Sequence, residues 1–148
     1  LDPQRRGTDS SHVLGFLRTV LEPHPRLTVV VAHLGGSGGY GPWTRTVFRT
    51  VSRWRAASPN RSNLHFDLSA VLLERESEGV PATTAEEAAQ LAADLREAGW
   101  AGVVFGSDFP VFDPGRGQQH LRERLRLADD EAARIVAGVP QFFAARKR

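Results

Sequence analysis

Three short runs of apolar residues divide the chain, and each has the pattern of a buried β-strand. Residues 27–32 are rich in β-branched side chains and do not alternate with polar ones, which is typical of a strand covered on both faces. Residues 64–68 alternate apolar and polar positions, and residues 103–105 are again uniformly apolar. The pattern therefore predicts three strands.

Segments with helical periodicity lie between and around these strands. Their apolar positions recur every three to four residues, which favours amphipathic helices. Thr84 and Glu87 form a capping-box pattern at the start of one of them, and Asp129 is the expected cap of another. The predicted helices cover residues 10–21, 42–58, 85–98, 118–127 and 129–138.

The order of these elements indicates an α/β fold in which parallel βα units build one sheet. Three polar residues, His33, Asp67 and Asp108, follow the three strands at intervals typical of a TIM barrel. A whole barrel has eight strands and needs about 250 residues. We therefore expect residues 1–148 to be a single domain that forms the last three-eighths of a (β/α)8 barrel, corresponding to its strands 6–8.

Composition limits the class of partner. The chain has no cysteine, so disulfides, thiolate metal ligands and cysteine nucleophiles are excluded. Its formal net charge is only +2 and its arginines are spread evenly, so we expect no nucleic-acid partner. We find neither a signal peptide nor an apolar run of about 20 residues, and expect no membrane partner and a cytoplasmic location. The chain lacks methionine, which suggests a processed product or a fragment.

The carboxyl ends of parallel strands lie on one face of a sheet, so His33, Asp67 and Asp108 should converge there. Imidazole and carboxylate groups can bind a divalent cation and take a proton from water. Each residue also has a structural explanation. His33 could be a hydrogen-bonded loop histidine, Asp67 could hold a loop amide, and Asp108 could cap a loop or helix.

The other histidines are expected to have no catalytic role. His65 and its neighbour Phe66 should point to opposite faces of the second strand, and we expect His65 to face a covering helix. His12, His24 and His120 lie on helices or beside prolines and are predicted to be surface residues.

A glycine-rich loop offers a different hypothesis. Gly36, Gly38 and Gly41 fit the G-x-G-x-x-G pattern between a strand and a helix, which is the fingerprint of a dinucleotide-binding domain. The glycines begin only after His33, however, and Pro42 follows the last of them. Dinucleotide binding therefore stays an alternative to the metal hypothesis.

Three motifs, taken together, resemble a known family. They are Val-Val-Val-Ala-His-Leu-Gly-Gly around His33, Phe-Asp-Leu-Ser from Phe66, and Val-Phe-Gly-Ser-Asp-Phe-Pro around Asp108. In order and spacing they resemble the closing half of the amidohydrolase superfamily. Within it they are most similar to the branch of the aminocarboxymuconate-semialdehyde decarboxylase-like enzymes. The resemblance covers residues 10–143.

The resemblance implies a function and site residues. Asp108 corresponds to a metal ligand that also orients or deprotonates the metal-bound water. His33 corresponds to a histidine that is an acid/base near the metal in this branch and a ligand in others. Asp67 and Ser69 correspond to a supporting motif. The family then predicts a metal-dependent hydrolase or decarboxylase, with zinc as the expected cofactor and a small carboxylate, amide or ester as substrate.

Two departures from the family pattern limit this expectation. The family's first-strand H-x-H or E-x-H motif and its fifth-strand histidine have no counterpart here, and Gly138-Val139-Pro140 stands where relatives have Gly-Asn-Ala. A catalytic metal usually needs three protein ligands, so we expect the isolated chain to be inactive. The alternative is a truncated, non-catalytic half-barrel that forms homo-oligomers through its exposed strand edges.

Overall fold

A computed structural model describes residues 9–57, 61, 63–77 and 79–138. Within these ranges the chain forms three strands and five α-helices in the predicted order. The carboxyl-terminal segment 140–148, which carries several basic residues, lies outside the described residues. The strands are Val29–Val31 (β1), Leu64–Asp67 (β2) and Val103–Val104 (β3), and the helices are Ser10–Phe16 (α1), Pro42–Ala56 (α2), Ala85–Glu97 (α3), Pro114–Leu125 (α4) and Asp129–Ala137 (α5).

The strands form one parallel sheet in the order β1-β2-β3. Val30 lies opposite His65, and Asp67 lies opposite Val104. This confirms the predicted α/β class and is consistent with part of a (β/α)8 barrel, because all three strands end at the same edge of the sheet.

The core lies between the sheet and helices α2 and α3. Phe66 of β2 meets Phe48 of α2 edge to face, with ring centroids 5.0 Å apart. Both side chains are almost fully buried, and burial of a side chain of this size contributes about 1.5–3 kcal/mol to folding. The other largest fully buried side chains are Leu17, Leu34, Leu91, Leu95, Leu125 and Ile135.

The position of His65 differs from the prediction. Phe66 faces the helical layer through its contact with Phe48, and neighbouring residues of a strand point to opposite faces. His65 therefore lies on the other face of the sheet, where it is half-buried and its Nδ1 has no hydrogen-bond partner among the described residues. Burial and the charge of Arg55 lower its pKa. The prediction was wrong because alternation alone cannot tell which face the helices cover.

Two helix starts are set by caps. The Thr84 hydroxyl accepts the Glu87 N–H at 3.1 Å, while the Glu87 carboxylate accepts the Thr84 N–H at 2.8 Å, which confirms the predicted capping box. Helix α4 begins four residues before the predicted start, because Asp113 accepts the Arg116 N–H at 2.8 Å and Pro114 occupies its first position.

Helix α5 has a different cap from the one predicted. Its N-cap is Ala128, whose N–H donates to Glu131, and Asp129 is the first helical residue. Helix α1 continues as a π-helical turn over Leu17–Leu21. None of the helices in the described ranges is long and apolar enough to cross a membrane.

One buried carboxylate joins the glycine loop to helices α2 and α3. Asp94 of α3 accepts hydrogen bonds from Tyr40 Oη at 2.8 Å, Arg45 Nε at 2.8 Å and Arg49 Nη1 at 2.7 Å. Burial on its own would raise the pKa of Asp94. The hydrogen bonds from Arg45 and Tyr40 and the arginine charges outweigh burial, so the pKa lies below its ordinary value. The carboxylate is therefore ionised and fully paired.

Candidate active site at the ends of the three strands

Each of the three strands leaves the sheet through a residue with left-handed backbone. His33 has φ 51°, Ala70 after β2 has φ 52°, and Asp108 after β3 has φ 59°. Leu34, next to His33, has φ 54°. This conformation costs a residue with a side chain about 1–3 kcal/mol and persists only where the surroundings enforce it. Such strain at the shared edge of a parallel sheet is a reason to examine the edge for function.

Asp67 supplies the groups that hold two of these strand ends together. Its Oδ1 accepts the His33 N–H at 3.0 Å and the Ser69 N–H at 3.0 Å, and it also accepts the Ser69 hydroxyl. This confirms that Asp67 holds a loop amide, and shows that it does so across two strands. The carboxylate thereby offsets part of the strain at His33.

The ring of His33 is oriented by Ser69. Its Nδ1 lies 2.9 Å from the Ser69 carbonyl oxygen and 2.9 Å from the Ser69 hydroxyl oxygen. The carbonyl cannot donate, and the hydroxyl proton is directed to the Asp67 carboxylate. The network therefore assigns the proton of the neutral ring to Nδ1. Nε2 is left with a lone pair, the form in which an imidazole binds a metal or accepts a proton.

The end of β3 is brought to the same place by Gly106. A Cβ on Gly106 would lie 3.1 Å from Asp67 Cβ and 3.2 Å from Ser69 Cβ, so glycine allows this close approach without a shift of the two neighbouring side chains. Asp108 follows two residues later and is exposed. Its carboxylate forms no hydrogen bond or ion pair with the described residues. The structure therefore joins His33, Asp67 and Ser69 by direct hydrogen bonds. Asp108 forms no such bond with these residues and is connected to them only through Gly106, which packs against Asp67 and Ser69.

A divalent cation finds suitable donor types here but not a complete set. His33 Nε2 and the Asp108 carboxylate are both common zinc ligands. Among the described residues, however, no group of three or more histidine, cysteine, aspartate or glutamate side chains could hold a metal ion. Within the described part of the chain the donor set is thus short of the three ligands that a catalytic zinc usually has.

A cavity of about 570 Å³ lies beside these strand ends. It is formed by the segment after β2, the segment after β3 and the start of α4, and it includes Ala70, Gly106 and Ser107. His120 of α4 also lines it. The volume is within the range of small-molecule sites, so the strand ends adjoin a space in which a ligand can bind.

His120 was predicted to be a surface residue, and this prediction was wrong. The His120 side chain is only 16 % exposed, and its Nδ1 lies 3.2 Å from Glu74 Oε1. Its Nε2 is buried without a partner among the described residues. Burial lowers the pKa of His120 more than the Glu74 charge raises it, so the ring is neutral at pH 7. His12 and His24 are exposed as predicted. A position on a helix or beside a proline therefore did not distinguish these exposed histidines from the largely buried His120.

The glycine loop packs within the chain. The Gly39 N–H donates to the Ala70 carbonyl at 2.7 Å, and a Cβ on Gly36 would overlap the buried Thr44 side chain. A turn with left-handed backbone at His33 and Leu34 also separates β1 from the loop. Close packing therefore explains Gly36, whereas a Cβ on Gly41 would meet nothing within 4 Å. The dinucleotide alternative gains no support from these contacts.

Comparison with known proteins adds one finding to this geometry. The sequence model of the amidohydrolase family matches residues 10–138. The chain belongs to the amidohydrolase family. Searches of curated proteins and of solved structures gave no match.

Family membership confirms the coarser part of the predicted function. It supports a hydrolase-type activity of the amidohydrolase superfamily, whose members are generally metal-dependent. The match does not separate the decarboxylase-like branch from other amidohydrolases, and it identifies neither zinc nor a substrate.

Proposed function

We propose that this chain is the carboxyl-terminal part of a metal-dependent amidohydrolase of the decarboxylase-like branch, acting on a small carboxylate, amide or ester. In this proposal His33 transfers a proton at the reacting bond and Asp108 is a metal ligand, with zinc as the expected metal. The chemistry supplied by the cation, when bound, is the activation of water. The remaining ligands would come from outside the described residues.

The observation that carries the proposal is the contact of the His33 Nδ1–H with the carbonyl and hydroxyl oxygens of Ser69, which accept its proton. This contact leaves Nε2 as the ring atom that can exchange a proton with a substrate. In hydrolysis, Nε2 takes the proton from the attacking water and returns it to the leaving oxygen or nitrogen. In decarboxylation, the protonated Nε2 delivers its proton to the carbon that loses carbon dioxide. The same orientation of the ring serves both reactions.

The test measures turnover in the longest natural translation product that contains this chain, with zinc and after chelation. A panel of small esters, amides and carboxylic acids serves as substrate, and released carbon dioxide separates decarboxylation from hydrolysis. His33→Gln should lower kcat/KM about 100-fold or more, which is the usual contribution of a general acid or base. Asp108→Asn should remove the metal-dependent activity.

Asp130→Asn is the matched control, because this acid on α5 pairs with Arg134 at 3.4 Å on the surface and should leave turnover unchanged. Full activity of Asp108→Asn would overturn the proposed role of Asp108. In the 148-residue chain, nitrogen-15 NMR of the histidines gives an independent readout. His33 should show a protonated Nδ1 and an unprotonated Nε2 when neutral, and the opposite tautomer would contradict the proposal.

A second candidate is the self-associating, non-catalytic half-barrel. It is favoured by the sheet face opposite α2, on which Val30, His65 and Asp67 are only half-buried. A half-covered sheet face and an unpaired strand edge both promote association. Sedimentation of the 148-residue chain at low micromolar concentration tests this candidate, which predicts a dimer or larger species. A monomer would exclude it.

A further inference from the structure

The cavity beside the strand ends is placed to hold part of a substrate that does not react. Its lining includes Gly106 and Ser107, which lead directly to Asp108, and Ala70, which follows Ser69. Neither His33 nor Asp108 lines the cavity itself. A molecule whose reacting bond lies at His33 and Asp108 could therefore extend its remaining atoms into this space.

The walls of the cavity are largely apolar. Leu72, Phe105, Val111 and Phe112 contribute to them, and Val111 is 56 % exposed at the surface of the protein. Apolar groups left open to water at the edge of a well-formed cavity favour an apolar ligand, since burial of both surfaces is favourable.

Among the described residues that line the cavity, one cation has no partner. Glu74 binds Arg116, with Oε2 to Nη2 at 2.7 Å, and also faces His120. Asp113, the other lining acid, caps α4. Arg75 is exposed and forms no hydrogen bond or ion pair with the described residues. Since both acids are engaged and His120 is neutral, Arg75 is the charge available to a ligand.

We propose that this cavity is a substrate subsite that binds an apolar group ending in a carboxylate, with the apolar group against Val111 and Phe112 and the carboxylate at Arg75. As a substrate subsite it rests on the function proposed above. It adds that the substrate carries an anionic group remote from the bond that reacts. It also makes Arg75 and Val111 specificity-determining residues.

The test measures binding and needs neither metal nor turnover. Hexanoate and its uncharged counterpart hexanamide are titrated into the nitrogen-15-labelled 148-residue chain, and amide shifts are followed. Hexanoate should bind in the millimolar range or more tightly, bind better than hexanamide, and shift residues of the cavity. Arg75→Gln should weaken hexanoate about threefold, as expected for an exposed ion pair, and leave hexanamide unchanged.

Two further variants complete the design. Val111→Asp places a carboxylate at an exposed position of the wall and should weaken hexanoate about tenfold or more by repulsion and lost apolar contact. Arg18→Gln is the matched control, because it removes the same charge from an exposed residue outside the cavity. Circular dichroism verifies that each variant is folded.

Each result decides the inference. Equal binding of hexanoate and hexanamide, or equal effects of Arg75→Gln and Arg18→Gln, would overturn the anionic assignment. Shifts confined to residues outside the cavity would overturn the site. If the substitutions at His33 and Asp108 leave turnover unchanged while hexanoate still binds, the proposed function alone would be contradicted. Absent hexanoate binding with intact metal-dependent turnover would contradict this subsite alone.

Discussion

At the scale of single residues, Asp67 has the largest structural role at the candidate site. One carboxylate oxygen receives the backbone N–H groups of His33 and Ser69 together with the Ser69 hydroxyl. These bonds hold a left-handed histidine at the end of one strand and orient its ring from the end of the next. In the proposed function, Asp67 would therefore position His33 and would not itself exchange a proton.

Asp67→Ala should therefore destabilise the chain. Three donors would lose an ionised acceptor, and a hydrogen bond to a charged group contributes about 1.5–3 kcal/mol. We expect a loss of about 2–4 kcal/mol in the free energy of unfolding, measured by urea denaturation. Asp67→Asn keeps an acceptor at the same position and should lose less. Equal losses for the two variants would show that hydrogen bonding is not what Asp67 contributes.

At the scale of elements, two ion-pair groups connect different helices. Asp94 joins Tyr40 and helix α2 to α3. Arg96 binds Glu131 through two nitrogens at 2.8 and 2.9 Å and thereby joins α3 to α5. Asp94 is buried, whereas Glu131 is half-buried and its partner Arg96 is exposed, so the two groups should respond differently to mutation.

Asp94→Ala should lower the free energy of unfolding by about 3 kcal/mol, because it leaves Arg45 and Arg49 without their partner beside a buried Tyr40 hydroxyl. Its stabilising effect also depends on pH. The pKa of Asp94 is lowered from 3.8, so the contribution is complete above that value and is lost as pH falls below it. Urea midpoints of the wild type and Asp94→Ala should converge as pH falls below 4. A constant difference would contradict this assignment.

The pKa of Glu131 is lowered from 4.5 to about 2, first by its hydrogen bond with Arg96 and then by the Ala128 N–H. Its contribution should be complete above pH 4.5 and be lost progressively as pH falls towards 2. Glu131→Gln should therefore be less stable than the wild type at pH 6, with a smaller difference at pH 3. Asp130→Asn, an adjacent exposed acid, is the control and should show little difference at either pH.

At the scale of the whole molecule, the described residues bring candidate catalytic groups to one edge of the sheet but do not form a complete metal site. His33 Nε2 and Asp108 are available donors, and the described residues contain no third ligand beside them. Family membership supports an amidohydrolase-type function for the protein. The two observations agree if further ligands are supplied to the same edge of the sheet.

Zinc should accordingly bind weakly to the 148-residue chain. Two donors give much less affinity than the three or four of established sites, and we expect a Kd weaker than about 1 μM. Competition with a chromophoric zinc chelator measures it, and Asp108→Asn should weaken binding further. Tight binding that survives Asp108→Asn would show that the metal is held elsewhere in the chain.

Much of the fold was predictable because its signals are local. The β-branched runs, the Thr84–Glu87 capping box and Pro42 at the start of α2 act within a few residues of themselves. The predicted start of α4 was four residues too late, although Asp113-Pro114 is a local signal as well, a cap followed by a favoured first residue. Errors arose where local patterns are ambiguous, as at the cap of α5 and the orientation of β2.

The sequence by itself determined the element order, the parallel sheet, the position of His33 and Asp108 at strand ends, and the family. Tertiary structure alone decided that Asp67 and Ser69 orient the His33 ring, that His65 faces away from α2, and that His120 joins Glu74 at a cavity. The physical reason is the distance along the chain between the residues that interact. Propensity and periodicity depend on neighbours in sequence, whereas ring orientation and cavity lining depend on residues brought together by packing.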